Sequence, residues 1–216
     1  VIPDELRKLR AWVGYVTKQN SDRVDKVPIN VLTGSPAKSN NPATWTDFNN
    51  AVGLAVQHNY AGIGFMFQPP YIGVDIDHCV KDGAIAPCAL EILKSLNSYS
   101  EYSPSRTGIH ILCKGEIVRA RKISKVGLEV YTKGRFFTVT GNRLTDYPVE
   151  INECTNALKT IFSRFVDKGP ADDILALIAK SQDVEKFQRL FSLRLMRGPE
   201  IRPEHRGCSP ALPRNL

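Results

Sequence analysis

Short runs in which apolar and polar residues alternate recur along this chain, separated by stretches of helical period. Residues 3–10 read as a short helix with Pro3 in its first turn, and residues 11–18 as a strand. The polar stretch 19–26 turns the chain into Val27-Pro28-Ile29-Asn30, a hairpin arm whose proline assigns it to a sheet edge. The Gly-, Ser-, Pro- and Asn-rich stretch 33–46 is an irregular connection, after which Thr46 caps a helix over 47–58 with Ala51, Leu54 and Ala55 inward. Residues 61–67 and 72–77 are strands on either side of Pro69-Pro70, expected to pair as an antiparallel hairpin. Residues 79–86 read as a loop, and 87–97 as an amphipathic helix built on Leu90, Leu93 and Leu96. Strands follow at 99–103, 109–114, 127–131 and 136–140, the last two joined by Lys133-Gly134, and a helix covers 152–166. The pattern predicts an α+β domain over 1–166, a helical accessory segment over 167–192 and a disordered Pro- and Arg-rich tail over 193–216.

Alternation also sorts side chains by face. In Val74-Asp75-Ile76-Asp77 the apolar pair faces a core, while the two carboxylates share the opposite side. The same count places His110 opposite Ile109 and Ile111, Glu129 and Tyr131 opposite Leu128 and Val130, and Thr138 and Thr140 opposite Phe137 and Val139. An antiparallel sheet with one face on helices and the other open has this pattern. Neighbouring carboxylates repel unless protonated or bridged by a cation, and hard divalent ions favour such oxygen ligands. Three carboxylates on one sheet face can hold two such ions for in-line phosphoryl displacement. A histidine and the backbone N–H groups of the loop Ser103-Pro-Ser-Arg-Thr-Gly108 suit the non-bridging oxygens of a triphosphate.

Composition narrows the class without choosing the chemistry. The chain has 216 residues, 42% hydrophobic and 24% charged, which is ordinary globular usage. No apolar run reaches the roughly 18–20 residues of a membrane span, and the N-terminus has no signal-peptide core. Five dispersed cysteines without a Cys-x-x-Cys pair argue against a disulfide framework or a zinc cluster. A net charge of +7 is compatible with a polyanionic partner. Arg119, Arg121, Lys122 and Lys125 cluster as a candidate template-phosphate patch or a solvated loop, and Lys26 at its strand edge is a phosphate ligand or a solvated lysine.

Three spaced motifs carry a family resemblance: Gly-Val-Asp75-Ile-Asp77-His; Ser103-Pro-Ser105-Arg-Thr-Gly-Ile-His110; and Leu-Glu129-Val-Tyr-Thr-Lys-Gly-Arg135-Phe-Phe-Thr-Val-Thr140-Gly. Together they resemble the archaeo-eukaryotic primase superfamily, specifically the primase-polymerase domains of phage and plasmid replication proteins, over roughly residues 5–165. The resemblance implies an RRM-like antiparallel palm sheet with flanking helices. It implies Asp75, Asp77 and Glu129 as catalytic ligands of two Mg²⁺ or Mn²⁺ ions, with Glu129 where many relatives carry Asp. It places His110, Ser103 and Ser105 on the incoming nucleotide's phosphates, with Lys26, Arg135, Thr138, Thr140 and Gly141 as further nucleotide contacts. The implied activity is template-directed DNA priming or polymerisation in a prokaryotic host's cytoplasm, on single-stranded or primed DNA with NTPs or dNTPs.

Residues 171–192 resemble the small helical region that often precedes a helicase, yet no Gly-x-x-x-x-Gly-Lys-[Ser/Thr] loop occurs in the sequence. Either the chain, which opens on Val rather than Met, is a piece of a longer helicase-bearing protein, or its tail stands in the helicase's place. Two rival functions are a metal-dependent replication-initiator nuclease and a nucleic-acid-binding module with an inactive site. The first lacks an evident tyrosine nucleophile or His-x-His cluster, and the complete motifs argue against the second.

Overall fold

Strands with two apolar faces need cover on both sides, and this chain meets that need with two antiparallel sheets. The structure, a computed structural model, describes residues 1–21, 23–117 and 120–165, all within the unit Val1–Asp167. The helical segment expected over 167–192 and the tail over 193–216 lie outside the described residues. In chain order the elements are α1 (Asp4–Arg7), β1 (Trp12–Asn20), β2 (Arg23–Ile29), α2 (Phe48–Gln57), β3 (Gly62–Met66) and β4 (Tyr71–Ile76). They continue with β5 (Val80–Lys81), β6 (Ala84–Ile85), α3 (Pro87–Leu96), β7 (Ser100–Tyr102), β8 (Ile109–Lys114), β9 (Arg121–Ile123), β10 (Leu128–Tyr131), β11 (Phe136–Val139) and α4 (Thr155–Phe165). The fold is α+β.

One sheet has the order β11-β3-β1-β2 and the other β7-β8-β4-β10-β9. This corrects the expected hairpin over 61–77. Both edges of β3 are taken by β1 and β11, and both edges of β4 by β8 and β10, so residues 67–70 carry the chain from one sheet to the other. It also separates the strand of Thr138 and Thr140 from those of Asp75, His110 and Glu129. Smaller corrections are local. Residues 79–86 contain the short β5–β6 ladder, and the helix cap is Asp47, whose carboxylate accepts from Asn50 N at 2.9 Å, while Thr46 bridges Trp12 in the core. Pro28 does sit on an edge strand, opposite Tyr15, where its missing N–H leaves no ladder bond unmade.

The five-stranded sheet packs its apolar face on helices, as alternation predicts. Ile72, Val74, Ile76, Ile109, Ile111, Leu128 and Val130 form one core cluster with Ala89, Ile92, Leu93 and Leu96 of α3 and Leu158 and Ile161 of α4. Its other face is only partly open. Tyr99 and Leu112 belong to a second core with Trp12, Phe65, Phe67 and Phe137 of the four-stranded sheet and its flanks. Gly73 makes that contact possible: a Cβ there would lie 2.8 Å from Phe137 Cζ and deep in the Phe67 ring. Two residues further along the same face, Asp75 emerges where the aromatic cover ends.

Candidate active site

The ladder register of the five-stranded sheet brings charged residues into one transverse row. Glu101 lies opposite His110, His110 opposite Asp75, Asp75 opposite Glu129, and Glu129 opposite Lys122. Each comes from a different strand, and all share the face away from the helices because directly paired residues point the same way. Asp77 lies just past β4. Its N–H donates to Gly127 O at 2.9 Å, and Gly127, at φ +64°, has no Cβ to collide with Asp77 O. The site-facing acids of the sequence thus meet at the end of β4.

Asp75 is the buried member. Its side chain is 22% exposed, and Oδ1 is enclosed without a hydrogen-bond partner. His110 Nε2 stands 3.8 Å from that oxygen, too far for a hydrogen bond. Burial lifts the Asp75 carboxyl to about 6; His110 and Lys26 pull it down, while Asp77 and Glu129 push it up. Glu129 pairs with the exposed Lys122 ammonium, which raises the Lys122 pKa through that hydrogen bond and charge. Lys26 is lowered by burial, with Asp75 and Asp77 acting against that shift.

The His110 ring is fixed from the other side. Nδ1 lies 3.1 Å from Thr138 O; a carbonyl only accepts, so Nδ1 carries the proton and Nε2 is left facing Asp75. The ring also lies against Phe137, with centroids 4.6 Å apart. Behind it is Glu101, 1% exposed, whose Oε1 is 3.8 Å from Nδ1. Glu101 accepts from Thr140 N, Gly141 N and the Tyr99 hydroxyl at 2.8, 2.9 and 2.8 Å.

A cleft of about 180 Å³ opens beside this row, lined by Lys26, Asp75, His110, Tyr131, Arg135, Phe136, Phe137 and Thr138. Five of those, Lys26, Asp75, His110, Arg135 and Thr138, are residues the sequence nominates. Lys26 Nζ donates to Thr138 Oγ1 at 3.5 Å, so the two edge strands of the four-stranded sheet, β2 and β11, meet here. Arg135 stacks its guanidinium 5.4 Å from the centroid of the Tyr131 ring.

Other nominated residues stand elsewhere. The Ser103–Gly108 loop does not line the cleft; it folds on itself, with Ser103 Oγ 3.1 Å from Ser105 Oγ and Ser105 Oγ 2.8 Å from Thr107 Oγ1. It flanks the Asp77 end of the row, where a Cβ on Gly108 would lie 3.6 Å from Asp77 Cα. Thr140 lies outside the cleft, its hydroxyl donating to Tyr102 O at 2.9 Å, and Gly141 binds Glu101. The two described members of the basic cluster face opposite ways. Lys122 is on the acidic row, whereas Arg121, one residue away and hence on the opposite face, lies 5.1 Å over the Phe162 ring of α4. Arg119 and the Lys125 side chain lie outside the described residues. Sequence reasoning missed Glu101 as a site residue, although strand alternation in Ser100-Glu101-Tyr102 carries the signal, and it gave Tyr131, Phe136 and Phe137 no place in a binding wall.

The donor chemistry fits hard divalent cations: three carboxylates on or beside one strand pair, one with an orphaned, enclosed oxygen. In the present arrangement the Glu129 carboxylate turns to Lys122. Among the described residues no three His, Cys, Asp or Glu side chains close around a common point. None of the described helices is long and apolar enough to cross a membrane.

The chain matches no family model. It is 32% identical over 145 residues to the DNA primase-polymerase of Nitratiruptor phage NrS-1, covering 63% of this chain and 20% of that protein. It therefore spans about a fifth of that relative's length. Over those 145 residues this chain is a relative of a phage DNA primase-polymerase.

Proposed function

We propose that residues 1–166 form the nucleotidyl-transfer domain of a DNA primase or primase-polymerase. The five-stranded sheet serves as an RRM-like palm, the substrates are NTPs or dNTPs on single-stranded or primed DNA, and a 3′-hydroxyl displaces pyrophosphate from the α-phosphate. The observation that carries this reading is the transverse row: His110, Asp75 and Glu129 stand side by side on adjacent strands, at a cleft flanked by Lys26 and Arg135. The relative's activity as a DNA primase-polymerase supports the same assignment.

Asp75, Asp77 and Glu129 would hold two Mg²⁺ or Mn²⁺ ions, which when bound lower the pKa of the attacking hydroxyl and neutralise charge on the reacting phosphate. Lys26 and Arg135 supply positive charge to the triphosphate from two walls of the cleft. His110, its Nδ1–H committed to the Thr138 carbonyl, donates Nε2–H to a phosphate oxygen as the doubly protonated ring. The hydroxyls of Ser103 and Ser105 lie at the Asp77 end, suited to oxygens beyond the cleft. Phe136, Phe137 and Tyr131 exclude water from one side, which strengthens each of these charge contacts.

Primer extension tests the reading. Wild-type chain with dNTPs and Mg²⁺ or Mn²⁺ extends a primed template, and Asp75→Ala and Asp77→Ala abolish extension while retaining the wild-type circular dichroism spectrum. Extension at wild-type rate by either variant overturns the assignment. A parallel incubation with labelled single strand and no nucleotide leaves the strand intact; cleavage there turns the assignment to a nuclease.

A further inference from the structure

Glu101 joins the two sheets at the back of the cleft, and the transfer chemistry above gives it no task. Burying a carboxylate is costly unless its oxygens are satisfied. Among the described residues no lysine or arginine lies within 4 Å of its carboxylate, and His110 Nδ1 stands 3.8 Å away. Its bonds go instead to backbone N–H groups of Thr140 and Gly141 and to the Tyr99 hydroxyl. Those two N–H groups follow directly on β11, the strand whose Thr138 carbonyl meets His110 Nδ1. Glu101 itself is on β7 of the other sheet, directly opposite His110 in the ladder. One carboxylate therefore ties the end of β11 to the sheet that carries the imidazole.

We infer that Glu101 is a positioning residue for nucleotide binding: by clasping residues 140–141 it holds the Thr138 carbonyl on His110 Nδ1–H, and so aims the Nε2–H of the doubly protonated ring at the triphosphate. The ligand in this inference rests on the nucleotidyl-transfer reading, whereas the clasp and its effect on the ring do not. The carboxylate is needed because it accepts on both oxygens. A glutamine has one accepting oxygen, so its NH₂ would face a backbone N–H and leave a buried donor unpaired. The Thr138 carbonyl would then be free to drift, and the ring would lose the acceptor that anchors Nδ1–H and with it the aim of Nε2–H.

The test uses the full chain labelled with ¹⁵N-histidine, with the His110 signals assigned by His110→Gln. Wild type is expected to show a protonated Nδ1 on His110. In Glu101→Gln the hydrogen-bonded Nδ1–H signature weakens, KM for dNTP in primer extension rises about tenfold, the loss of one buried hydrogen bond, and affinity for single-stranded DNA is unchanged. Tyr99→Phe removes one of the three bonds to the carboxylate and gives the same changes at smaller size; it carries the test if Glu101→Gln fails to fold. The inference is overturned if the folded variants lose thermal stability while the His110 signals and KM stay at wild-type values, the behaviour of a carboxylate with a structural role alone. If wild type incorporates no nucleotide, the nucleotidyl-transfer reading fails, and the ¹⁵N signals still decide whether Glu101 sets the ring.

Discussion

Replacing Asp75 with asparagine should make the cation-free protein more stable at neutral pH while abolishing the proposed nucleotidyl transfer. The Asp75 carboxyl is raised from 3.8 to about 6, chiefly by burial. A carboxyl whose folded-state pKa lies above its unfolded value destabilises the fold once ionised. Below about pH 4 the group is protonated in both states and contributes nothing. As pH rises toward 6 the unfolded chain ionises first, and above 6 the full penalty is present. Moving a proton equilibrium by that much costs about 3 kcal/mol. Asparagine removes the charge but leaves a polar atom at the enclosed Oδ1 position, which has no hydrogen-bond partner and keeps about 1 kcal/mol of cost. The net gain is about 2 kcal/mol, or roughly 4–8 °C in Tm for a domain of this size.

The assay is thermal unfolding of wild type and Asp75→Asn in EDTA between pH 4 and 8. The variant should be marginally less stable than wild type at about pH 4, cross it between about pH 4 and 5, and gain progressively to pH 7. Adding Mn²⁺ at millimolar concentration should raise the wild-type Tm, because bound cation offsets the buried charge, and should leave the variant nearly unmoved. A variant that is less stable than wild type at pH 7, or a difference that does not depend on pH, refutes the reasoning.

Other consequences follow from the same geometry. Lys122→Met removes the ammonium that holds Glu129 and should tighten Mn²⁺ binding severalfold by calorimetry; unchanged or weaker binding would show that the lysine does not compete for that carboxylate. Lys26→Met should raise KM for dNTP about tenfold, the loss of one charge-assisted contact, with DNA affinity constant in a fluorescence-anisotropy titration. Gly73→Ala drives a methyl into the Phe67 and Phe137 rings and should cost about 1–3 kcal/mol in urea unfolding; a neutral result would mean that the sheets separate easily at this point.

The faces of the strands were legible from alternation, and their partners were not. Counting by two puts Asp75, His110 and Glu129 opposite the isoleucines, valines and leucine that pack on α3 and α4, and the structure has them there. Counting cannot say that residues 67–70 cross between sheets, because both 61–67 and 72–77 are equally good strands and a short Pro-rich connection suits a turn as well as a crossing. The same limit hid Glu101. In sequence it is one acid in a short strand, and its importance comes from the later segment that delivers the Thr140 and Gly141 N–H groups to it. The basic cluster divides for the opposite reason: neighbours in sequence need not share a surface, and strand alternation sends Arg121 and Lys122 to opposite sides.

The transverse row also acts as a check on folding accuracy. Each of its members is flanked along its strand by side chains that point to the other face, so a one-residue slip of β4 would swap Asp75 for Val74 or Ile76 in the row and drive the carboxylate into the helix-covered core. A one-residue slip therefore cannot keep the acids together while preserving the core. A population of this protein should accordingly contain complete sites or none, and the fraction of molecules that bind nucleotide should equal the fraction that unfold cooperatively.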